Sequence, residues 1–175
     1  LEKYDEPDLG TELIPKDRYI SREWMEREFE RMWPKTWLMA GPVADVAEVG
    51  DWFTFEVGRQ SIIIVRSATD RIDAFHNACQ HRGYRVCEAE RGHGKTFVCP
   101  YHLWAYDLQG NLRGVPDRED FPQGLPEGAR MPRVSVDTWG AWVFVNLDPD
   151  AEPLADFLGE AGKHLEPYHF ERNYA

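Results

Sequence analysis

Two short segments of the sequence each combine one cysteine with one histidine. One residue separates Cys79 from His81, 17 residues follow, and two residues then separate Cys99 from His102. Thiolate sulfur and imidazole nitrogen are ligands that both zinc and iron–sulfur centres use in proteins. The intervening residues are long enough for two strands and a turn at Gly92-His93-Gly94. We therefore expect the four side chains to converge on one metal site.

Two kinds of metal centre fit such a ligand set. A structural zinc ion would be held tetrahedrally, but zinc fingers usually keep both cysteines in one half of the site and both histidines in the other. A two-iron, two-sulfide cluster with mixed ligands needs both cysteines on one iron and both histidines on the other. Two similar loops provide this division when their cysteines lie deep and their histidines lie near the tips. The alternation of Cys and His therefore favours the cluster over zinc.

Charge indicates what such a cluster would do. Two ferric ions, two sulfides and two thiolates sum to zero, whereas four thiolates leave the oxidised cluster more negative. A neutral cluster accepts an electron more easily, and mixed-ligand clusters have potentials of roughly −150 to +300 mV, against about −400 mV for all-cysteine ferredoxins. One-electron transfer is therefore the expected chemistry.

The two segments resemble the Rieske motif. Their surroundings are similar to the N-terminal domain of the α subunit of Rieske non-haem iron oxygenases of the aromatic-ring-hydroxylating type, over about residues 28–147. The most specific parts are Asn77-Ala-Cys79-Gln-His81-Arg82-Gly83, Cys99-Pro-Tyr-His102-Leu-Trp104-Ala-Tyr106, Gly110-x-Leu112-x-Gly114-Val-Pro116 and Trp142-Val-Phe-Val-Asn146. The resemblance implies a [2Fe-2S] cofactor, with Cys79 and Cys99 on the inner iron and His81 and His102 on the outer iron.

Differences from other Rieske sequences indicate which kind of Rieske protein this sequence resembles. We expect four residues to surround the ligands: Arg82, Gly83, Tyr101 and Trp104. Tyr84 and Tyr101 stand where respiratory-chain Rieske proteins have extra cysteines, so no disulfide is expected between the loops. Trp104 replaces a serine that donates to the cluster in those proteins, which predicts a potential in the lower part of the Rieske range. Leu103 stands where the ring-hydroxylating family usually has glycine, which leaves the tightness of this loop open.

Several nearby residues have simpler interpretations. Cys87 lies outside both segments and is expected to be a buried thiol. His76 is expected to be a strand histidine, and His93 an exposed turn histidine. Arg82 and Arg85 are either surface charges or contacts to a following domain or redox partner.

A second set of possible iron ligands lies near the end of the sequence. His164, Glu166 and His169 offer two imidazoles and a carboxylate, but Pro167 breaks their helical spacing. In the family that the sequence resembles, the mononuclear Fe(II) site belongs to a later catalytic domain that this sequence does not contain. The parent protein is then an oxidoreductase that uses O2, and whether this segment alone is an enzyme stays open.

The elements predicted around the motif are mostly strands. Ser21–Trp33 has an amphipathic pattern, with Ser21 as N-cap and Pro34 as the end of the helix. Leu154–Leu165 is expected to form a short helix. The predicted strands are Trp52–Val57, Ser61–Arg66, Arg71–Phe75, Thr96–Cys99, Ala105–Leu108, Arg133–Asp137 and Ala141–Leu147. These runs and their turns predict a mainly β fold, an antiparallel sandwich with a small cluster-binding subdomain, an N-terminal helix and a short C-terminal helical tail.

The same patterns divide the sequence into three parts. Residues 1–36 form an N-terminal arm and helix, residues 37–149 form the Rieske [2Fe-2S] domain, and residues 150–175 form a tail leading toward the absent catalytic domain. Three cysteines, an odd number, argue against a disulfide framework and for a reducing, cytoplasmic location.

Composition and charge exclude some partners and suggest others. The 175 residues carry a net charge of −11, which disfavours nucleic acid and membrane surfaces. Residues 71–115 hold six basic and four acidic groups, so this window is +2 and the remainder is −13. This contrast suggests that an acidic ferredoxin or reductase docks near the histidines.

The resemblance implies further partners, and two alternatives stay open. The implied partners are a ferredoxin or reductase as electron donor, the protein's own catalytic domain, and a homotrimer with or without a small β subunit. The first alternative is a stand-alone Rieske ferredoxin that carries electrons. The second is a zinc-stabilised interaction domain.

Overall fold

The computed structural model describes residues 10–125 and 128–172, and β-strands are its main secondary structure. All paired strands run antiparallel. The strands are β1 (Leu38–Pro42), β2 (Asp51–Val57), β3 (Gln60–Ala68), β4 (Arg71–His76), β5 (Arg91–His93), β6 (Thr96–Val98), β7 (Ala105–Asp107), β8 (Leu112–Gly114), β9 (Arg133–Trp139) and β10 (Trp142–Asn146). The mainly β, antiparallel fold predicted from sequence is confirmed.

The strands form two sheets of unequal size. The larger sheet has seven strands in the order β1-β10-β9-β4-β3-β2-β5, and the smaller sheet has three in the order β6-β7-β8. All three strands of the smaller sheet come after the first Cys/His segment in the sequence. Strands β6 and β7 directly flank the second Cys/His segment. It therefore corresponds to the predicted small subdomain.

Strand β3 contributes to two of the hydrophobic clusters among the described residues. Successive side chains of a strand point to opposite faces, and a strand covered on both faces has a continuous apolar run. Ile62 and Ile64 pack into a cluster with Phe53 and other residues of the larger sheet. Ile63 and Val65 pack on the other face, in the cluster that contains Cys79, Cys99 and the aromatic side chains around them. The candidate metal site therefore rests directly on the central strand.

Among the described residues, three α-helices flank the sheets: α1 (Asp17–Ile20), α2 (Arg22–Arg31) and α3 (Leu154–Leu165). Ser21 caps α2 by accepting a hydrogen bond from the Trp24 amide at 3.5 Å, as predicted. Helix α2 ends at Arg31, two residues before the predicted end, and a 3-10 turn over Trp33–Lys35 follows it because Pro34 cannot continue the helix. The structure describes no helix that is both long and apolar enough to cross a membrane.

One contact attaches α2 to the larger sheet, and another attaches the segment ahead of α3 to it. The Phe29 ring of α2 lies against the β2–β3 turn at Gly58, where an added Cβ would be 2.5 Å from that ring. Ahead of α3, the Trp37 Nε1–H donates to the Glu152 carbonyl at 2.9 Å. Both helices therefore rest on the same β framework.

The structure corrects one local prediction. Of the expected turn at Gly92-His93-Gly94, Gly92 and His93 are instead the last two residues of β5, which pairs with β2, and only Gly94 lies beyond the strand. Gly92 permits this pairing because a Cβ there would be 2.5 Å from the Trp52 ring. Strands β1, β5 and β8 and helix α1 were absent from the sequence prediction because they are short, and because β1, β5 and β8 contain glycine or proline, which are depleted in strands.

Candidate metal centre

The two Cys/His segments fold into loops with the same backbone frame. In the first loop, residues 79–84, the Cys79 amide donates to the Tyr84 carbonyl at 2.8 Å, and the Gly83 amide donates to the Cys79 carbonyl at 2.7 Å. In the second loop, residues 99–104, the Cys99 amide donates to the Trp104 carbonyl at 2.9 Å, and the Leu103 amide donates to the Cys99 carbonyl at 3.0 Å. The two cysteines therefore begin equivalent turns.

The loops bring their side chains together as two like pairs. The thiols of Cys79 and Cys99 interact with each other, and both residues are almost fully buried. The imidazoles of His81 and His102 lie 4.5 Å apart between ring centroids, and both residues are only half-buried. Cysteine therefore lies beside cysteine at depth, and histidine lies beside histidine nearer the surface.

His81 has a buried nitrogen without a hydrogen-bond partner. Its Nδ1 atom is one of two buried side-chain polar atoms that lack a partner in the described residues. One face of the His81 imidazole stacks on the Trp104 ring, at 4.9 Å between ring centroids and an interplanar angle of 8°. Burial, followed by the neighbouring His102 and Arg82, lowers the pKa of His81. A neutral imidazole whose buried Nδ1 has no hydrogen-bond partner is suited to bind a metal ion.

Tyr106 contacts the first cysteine from below. Its hydroxyl lies 3.3 Å from Cys79 Sγ and accepts a hydrogen bond from the Gln80 amide at 3.0 Å. The side chain is fully buried. Burial is the largest cause of the raised pKa of Cys79, and the hydrogen bond from Tyr106 opposes it. The sequence pattern does not single out this role for Tyr106, because the contact joins residues 27 positions apart.

Asn77 closes the base of the first loop. Its Oδ1 accepts hydrogen bonds from the Val86 and Cys87 amides, both at 2.9 Å. Its Nδ2 donates to the Cys87 carbonyl at 2.7 Å and to the Ser61 hydroxyl at 3.1 Å. One buried side chain therefore ties both ends of the first loop to β3, a second role that the sequence motif alone does not reveal.

The residues expected around the ligands have distinct positions. Gly83 has φ of +72°, with nothing within 4 Å of an added Cβ, and Trp104 is buried against His81. The Tyr101 ring lies 3.8 Å from the His102 ring and is 55% exposed. Tyr84, at 5.4 Å from Tyr101, is also exposed. With tyrosine at both positions, no disulfide joins the loops.

The two arginines beside the first loop differ. Arg85 makes two hydrogen bonds to the Glu56 carboxylate, at 3.1 and 2.8 Å, so its charge is neutralised within the chain. Arg82 is exposed, and no carboxylate among the described residues pairs with it. Arg82 is therefore the arginine of this pair that is available to an outside partner.

The other cysteine and histidines discussed above lie outside the two ligand loops. Cys87 is a buried free thiol, as predicted, and burial raises its pKa to about 12. His76 ends β4, as predicted for a strand histidine, and burial lowers its pKa. His93 is exposed as predicted but ends strand β5, not a turn, with its Nδ1 at 2.8 Å from an Asp51 carboxylate oxygen.

The second set of possible iron ligands extends from the end of α3 to the residue after the following 3-10 turn. His164 lies in the last turn of α3, Glu166 begins a 3-10 turn, and His169 follows that turn with φ of +48°. The His169 Nδ1 lies 3.3 Å from a Glu171 carboxylate oxygen. The α-helix ends at Leu165, and Pro167 lies within the 3-10 turn that follows, so the three residues do not share one helical spacing.

The donor set fits a two-iron cluster. Paired buried thiols and paired outer imidazoles give the division of ligands that a Rieske cluster requires. The unpartnered Nδ1 of His81 is an additional sign, because a buried nitrogen normally has a partner. A single tetrahedral zinc ion has no need for this separation of sulfur from nitrogen.

Comparison with known proteins agrees with this geometry. The sequence model of the Rieske [2Fe-2S] domain matches residues 36–145. The chain is 32% identical over 160 residues to the glycine betaine monooxygenase oxygenase subunit of Pseudomonas aeruginosa, covering 90% of the chain and 37% of that protein. It is 37% identical over 149 residues to biphenyl 2,3-dioxygenase subunit alpha of Rhodococcus jostii, covering 85% of the chain and 32% of that protein.

Solved structures with the same fold include the quaternary ammonium Rieske monooxygenase CntA. It superposes with a TM-score of 0.82 at 28% identity, covering 89% of the chain and 43% of CntA. A naphthalene 1,2-dioxygenase superposes with a TM-score of 0.78 at 31% identity, covering 84% of the chain and 34% of that protein. The chain thus spans less than half the length of each relative named here. The chain belongs to the Rieske [2Fe-2S] family, and its Rieske domain is of the type found in oxygenase α subunits.

Proposed function

We propose that Cys79 and Cys99 bind one iron of a [2Fe-2S] cluster and that His81 and His102 bind the other. The observation that carries this assignment is the pairing of the side chains, thiol with thiol at depth and imidazole with imidazole nearer the surface. When bound, the cluster supplies reversible one-electron chemistry. The chain then acts as an electron-transfer unit.

The surrounding residues prepare the site for this role. Thiolates are the ligands that iron–sulfur clusters require, and the Tyr106 hydroxyl offers a hydrogen bond that favours the thiolate of Cys79. Phe97, Trp104 and Tyr106 cover the cysteines and exclude water from their side of the site. The histidine side remains partly open. Electrons are therefore expected to enter or leave past His81 and His102.

We propose further that the chain is the electron-delivery part of a Rieske oxygenase. Its relatives are named as oxygenase subunits, and residues on both sides of the matched Rieske domain align with them as well. The solved structure of a quaternary ammonium Rieske monooxygenase, 28% identical to this chain, gave insight into inter-subunit electron transfer in that protein. By analogy, the parent protein carries a mononuclear Fe(II) site in a catalytic domain and assembles as a homotrimer, with or without a small β subunit.

The electron donor is proposed to be a ferredoxin or reductase. The cluster half of the chain is less acidic than the remainder, and Arg82 offers an unpaired positive charge beside His81. The odd number of cysteines, three, fits a reducing compartment, and the proposed location is the cytoplasm. The named relatives act on compounds as different as glycine betaine and biphenyl, so the substrate class is left unassigned.

Metal analysis with matched cysteine variants tests the ligand assignment. The purified protein is expected to contain iron and acid-labile sulfide in equal amounts and to give an EPR signal after reduction. Cys79→Ser should abolish both the sulfide and the signal, whereas Cys87→Ala should keep them, because Cys87 is buried but lies outside both ligand loops. Stoichiometric zinc without sulfide would overturn the proposal. Loss of the cluster in Cys87→Ala but not in Cys79→Ser would also overturn it.

A further inference from the structure

Glu56, in strand β2, accepts hydrogen bonds from two directions. Ser61 lies directly opposite it on β3 and donates to Glu56 Oε1 at 2.6 Å. Arg85, which follows the first ligand loop, donates to the same oxygen at 3.1 Å and to Oε2 at 2.8 Å. Hydrogen bonds to an ionised carboxylate are stronger than those between neutral groups. One carboxylate therefore joins the β2–β3 pair to the end of the first ligand loop.

The Ser61 hydroxyl extends this network into the interior. It accepts a hydrogen bond from Asn77 Nδ2 at 3.1 Å, and Asn77 Oδ1 accepts one from the Val86 amide at 2.9 Å. Val86 directly follows Arg85, so the contacts return to the residue whose side chain binds Glu56. Ser61 and Asn77 are both buried. We call this closed set of contacts, through Glu56, Ser61, Asn77 and Arg85, the loop ring.

The first ligand loop has no strand pairing at its base. Within the described residues, no strand includes residues 77–90, whereas the paired strands β6 and β7 meet at Val98 and Ala105 on either side of the second loop. The loop ring takes the place of that pairing, because it joins Asn77, before the first loop, to Arg85, after it. The first loop therefore depends on side-chain contacts for its orientation more than the second loop does.

Glu56 differs from an ordinary surface carboxylate. The side chains of Glu56 and Arg85 are 48% and 52% exposed, and an isolated ion pair of that kind contributes little to stability. The Glu56 carboxylate also accepts from Ser61, a buried hydroxyl that is itself bonded to the buried Asn77. Removing the carboxylate would take this acceptor from Ser61 and release Arg85. A change at Glu56 is therefore expected to reach the first loop through both neighbours.

We propose that Glu56 is a positioning residue for the metal centre: acting through Ser61 and Arg85, it fixes the orientation of the first loop. That loop carries Cys79 and His81, so Glu56 sets the orientation of the His81 imidazole. Contacts made outside the ligand set orient the ligands of metal sites in this way. This inference rests on the proposed function of the chain, and it adds a residue that belongs to neither ligand loop.

Two variants of Glu56 separate positioning from charge. Glu56→Ala and Glu56→Gln both remove the negative charge, but glutamine keeps an Oε1 atom that accepts from Ser61 and from Arg85 Nη1. The cluster-loaded proteins are compared by EPR after reduction, and the oxidised proteins by the rate of iron release to excess bathophenanthroline. Glu56→Ala should shift the g values and release iron about tenfold faster, whereas Glu56→Gln should keep the natural g values and release iron within about twofold of the natural rate.

Two further variants complete the comparison. Glu160→Ala is the matched control, because Glu160 is also an exposed carboxylate in an ion pair, at 2.6 Å from Lys163 of its own helix. It should leave the g values and the rate of iron release unchanged. Arg85→Ala opens the loop ring from its other end and should reproduce the effects of Glu56→Ala, so the proposal is tested even if Glu56→Ala does not fold.

Three results would overturn the proposal. The first is natural g values and natural iron release in both Glu56→Ala and Arg85→Ala. The second is an equal change in Glu56→Ala and Glu56→Gln, which would assign the effect to charge alone. The third is a lower melting temperature of Glu56→Ala with an unchanged EPR spectrum, which would show a structural role only.

The natural protein distinguishes the two kinds of failure. A natural protein that contains no iron and no sulfide would overturn the proposed function, and this inference with it. A natural protein that contains the cluster and gives the EPR signal, with any of the three results above in its variants, keeps its proposed function and loses only the positioning role of Glu56.

Discussion

The first and second ligand loops reach the same backbone frame by different means. The first loop is fixed by polar contacts, since Asn77 makes four hydrogen bonds across its base and Gly83 supplies the left-handed position. The second loop lies between paired strands β6 and β7 and is anchored by the buried Trp104, with Leu103 at the left-handed position. The same backbone conformation is therefore stabilised by hydrogen bonds in the first loop and by apolar packing in the second. We call Asn77 with its hydrogen bonds the polar clamp, and the buried Trp104 the apolar anchor.

The spacing within each loop sets where its histidine lies. His81 is two residues after its cysteine, and His102 is three residues after its own. The two loops have the same backbone hydrogen bonds, but the two histidines occupy different positions within them. Their rings meet at an interplanar angle of 69°. The asymmetric motif thus brings two imidazoles together at one tip without stacking them on each other.

Removing the apolar anchor should have the largest effect. Trp104→Ala leaves a cavity beneath His81 and is expected to lower the free energy of unfolding by about 4 kcal/mol. Trp24→Ala is the matched control, because Trp24 is only half-buried and contacts Arg18 of α1 and Arg27 of α2. Thermal unfolding of both variants checks this, and equal destabilisation would show that Trp104 does not anchor the second loop.

Removing the polar clamp should have the next largest effect. Asn77→Ala leaves the buried amides of Val86 and Cys87 without acceptors, and we expect a loss of about 3 kcal/mol. The control is Asn111→Ala, which removes contacts to the Asp107 carboxylate nearer the surface and should cost about 1 kcal/mol. Hydrogen exchange of residues 79–87 should rise in Asn77→Ala, and unaltered protection there would contradict the clamp.

The left-handed position in the first loop is a smaller test. Gly83→Ala is expected to cost about 1.5 kcal/mol through backbone strain alone, since nothing lies within 4 Å of the added Cβ. Gly94→Ala is the control, because Gly94 has an ordinary φ and its added Cβ meets only the Thr96 carbonyl oxygen at 3.7 Å. Comparing their melting temperatures measures the strain, and indistinguishable values would mean that the frame does not require glycine at position 83.

A pH dependence tests the burial of the third thiol, Cys87. Burial raises the pKa of Cys87 from 9.0 to about 12, so the unfolded chain loses this proton first as the pH rises. The stability from the neutral buried thiol is complete below pH 9 and is lost above it. Relative to Cys87→Ala, the natural protein should lose about 1.3 kcal/mol between pH 8 and pH 10 in urea unfolding. A constant difference over this range would show that Cys87 is not a neutral buried thiol.

The chemistry of the site was more visible in the sequence than the contacts that support it. Spacing alone brought Cys79, His81, Cys99 and His102 forward, and the predicted strand Ser61–Arg66 lies within the observed β3. The Tyr106–Cys79 and Arg85–Glu56 contacts join residues 27 and 29 positions apart, so only the folded chain reveals them. Strand β5 was predicted as a turn because its glycine reads as a turn residue until the Trp52 ring is seen against it.

The unequal ligand pairs are the central claim, and 57Fe Mössbauer spectroscopy of the enriched, oxidised protein tests it most directly. Cys79 and Cys99 on one iron with His81 and His102 on the other predict two distinct iron environments in equal amounts. After one-electron reduction, the added electron should reside on the histidine-bound iron. Two equivalent irons, or a preparation without iron that holds zinc at the same four residues, would contradict the account.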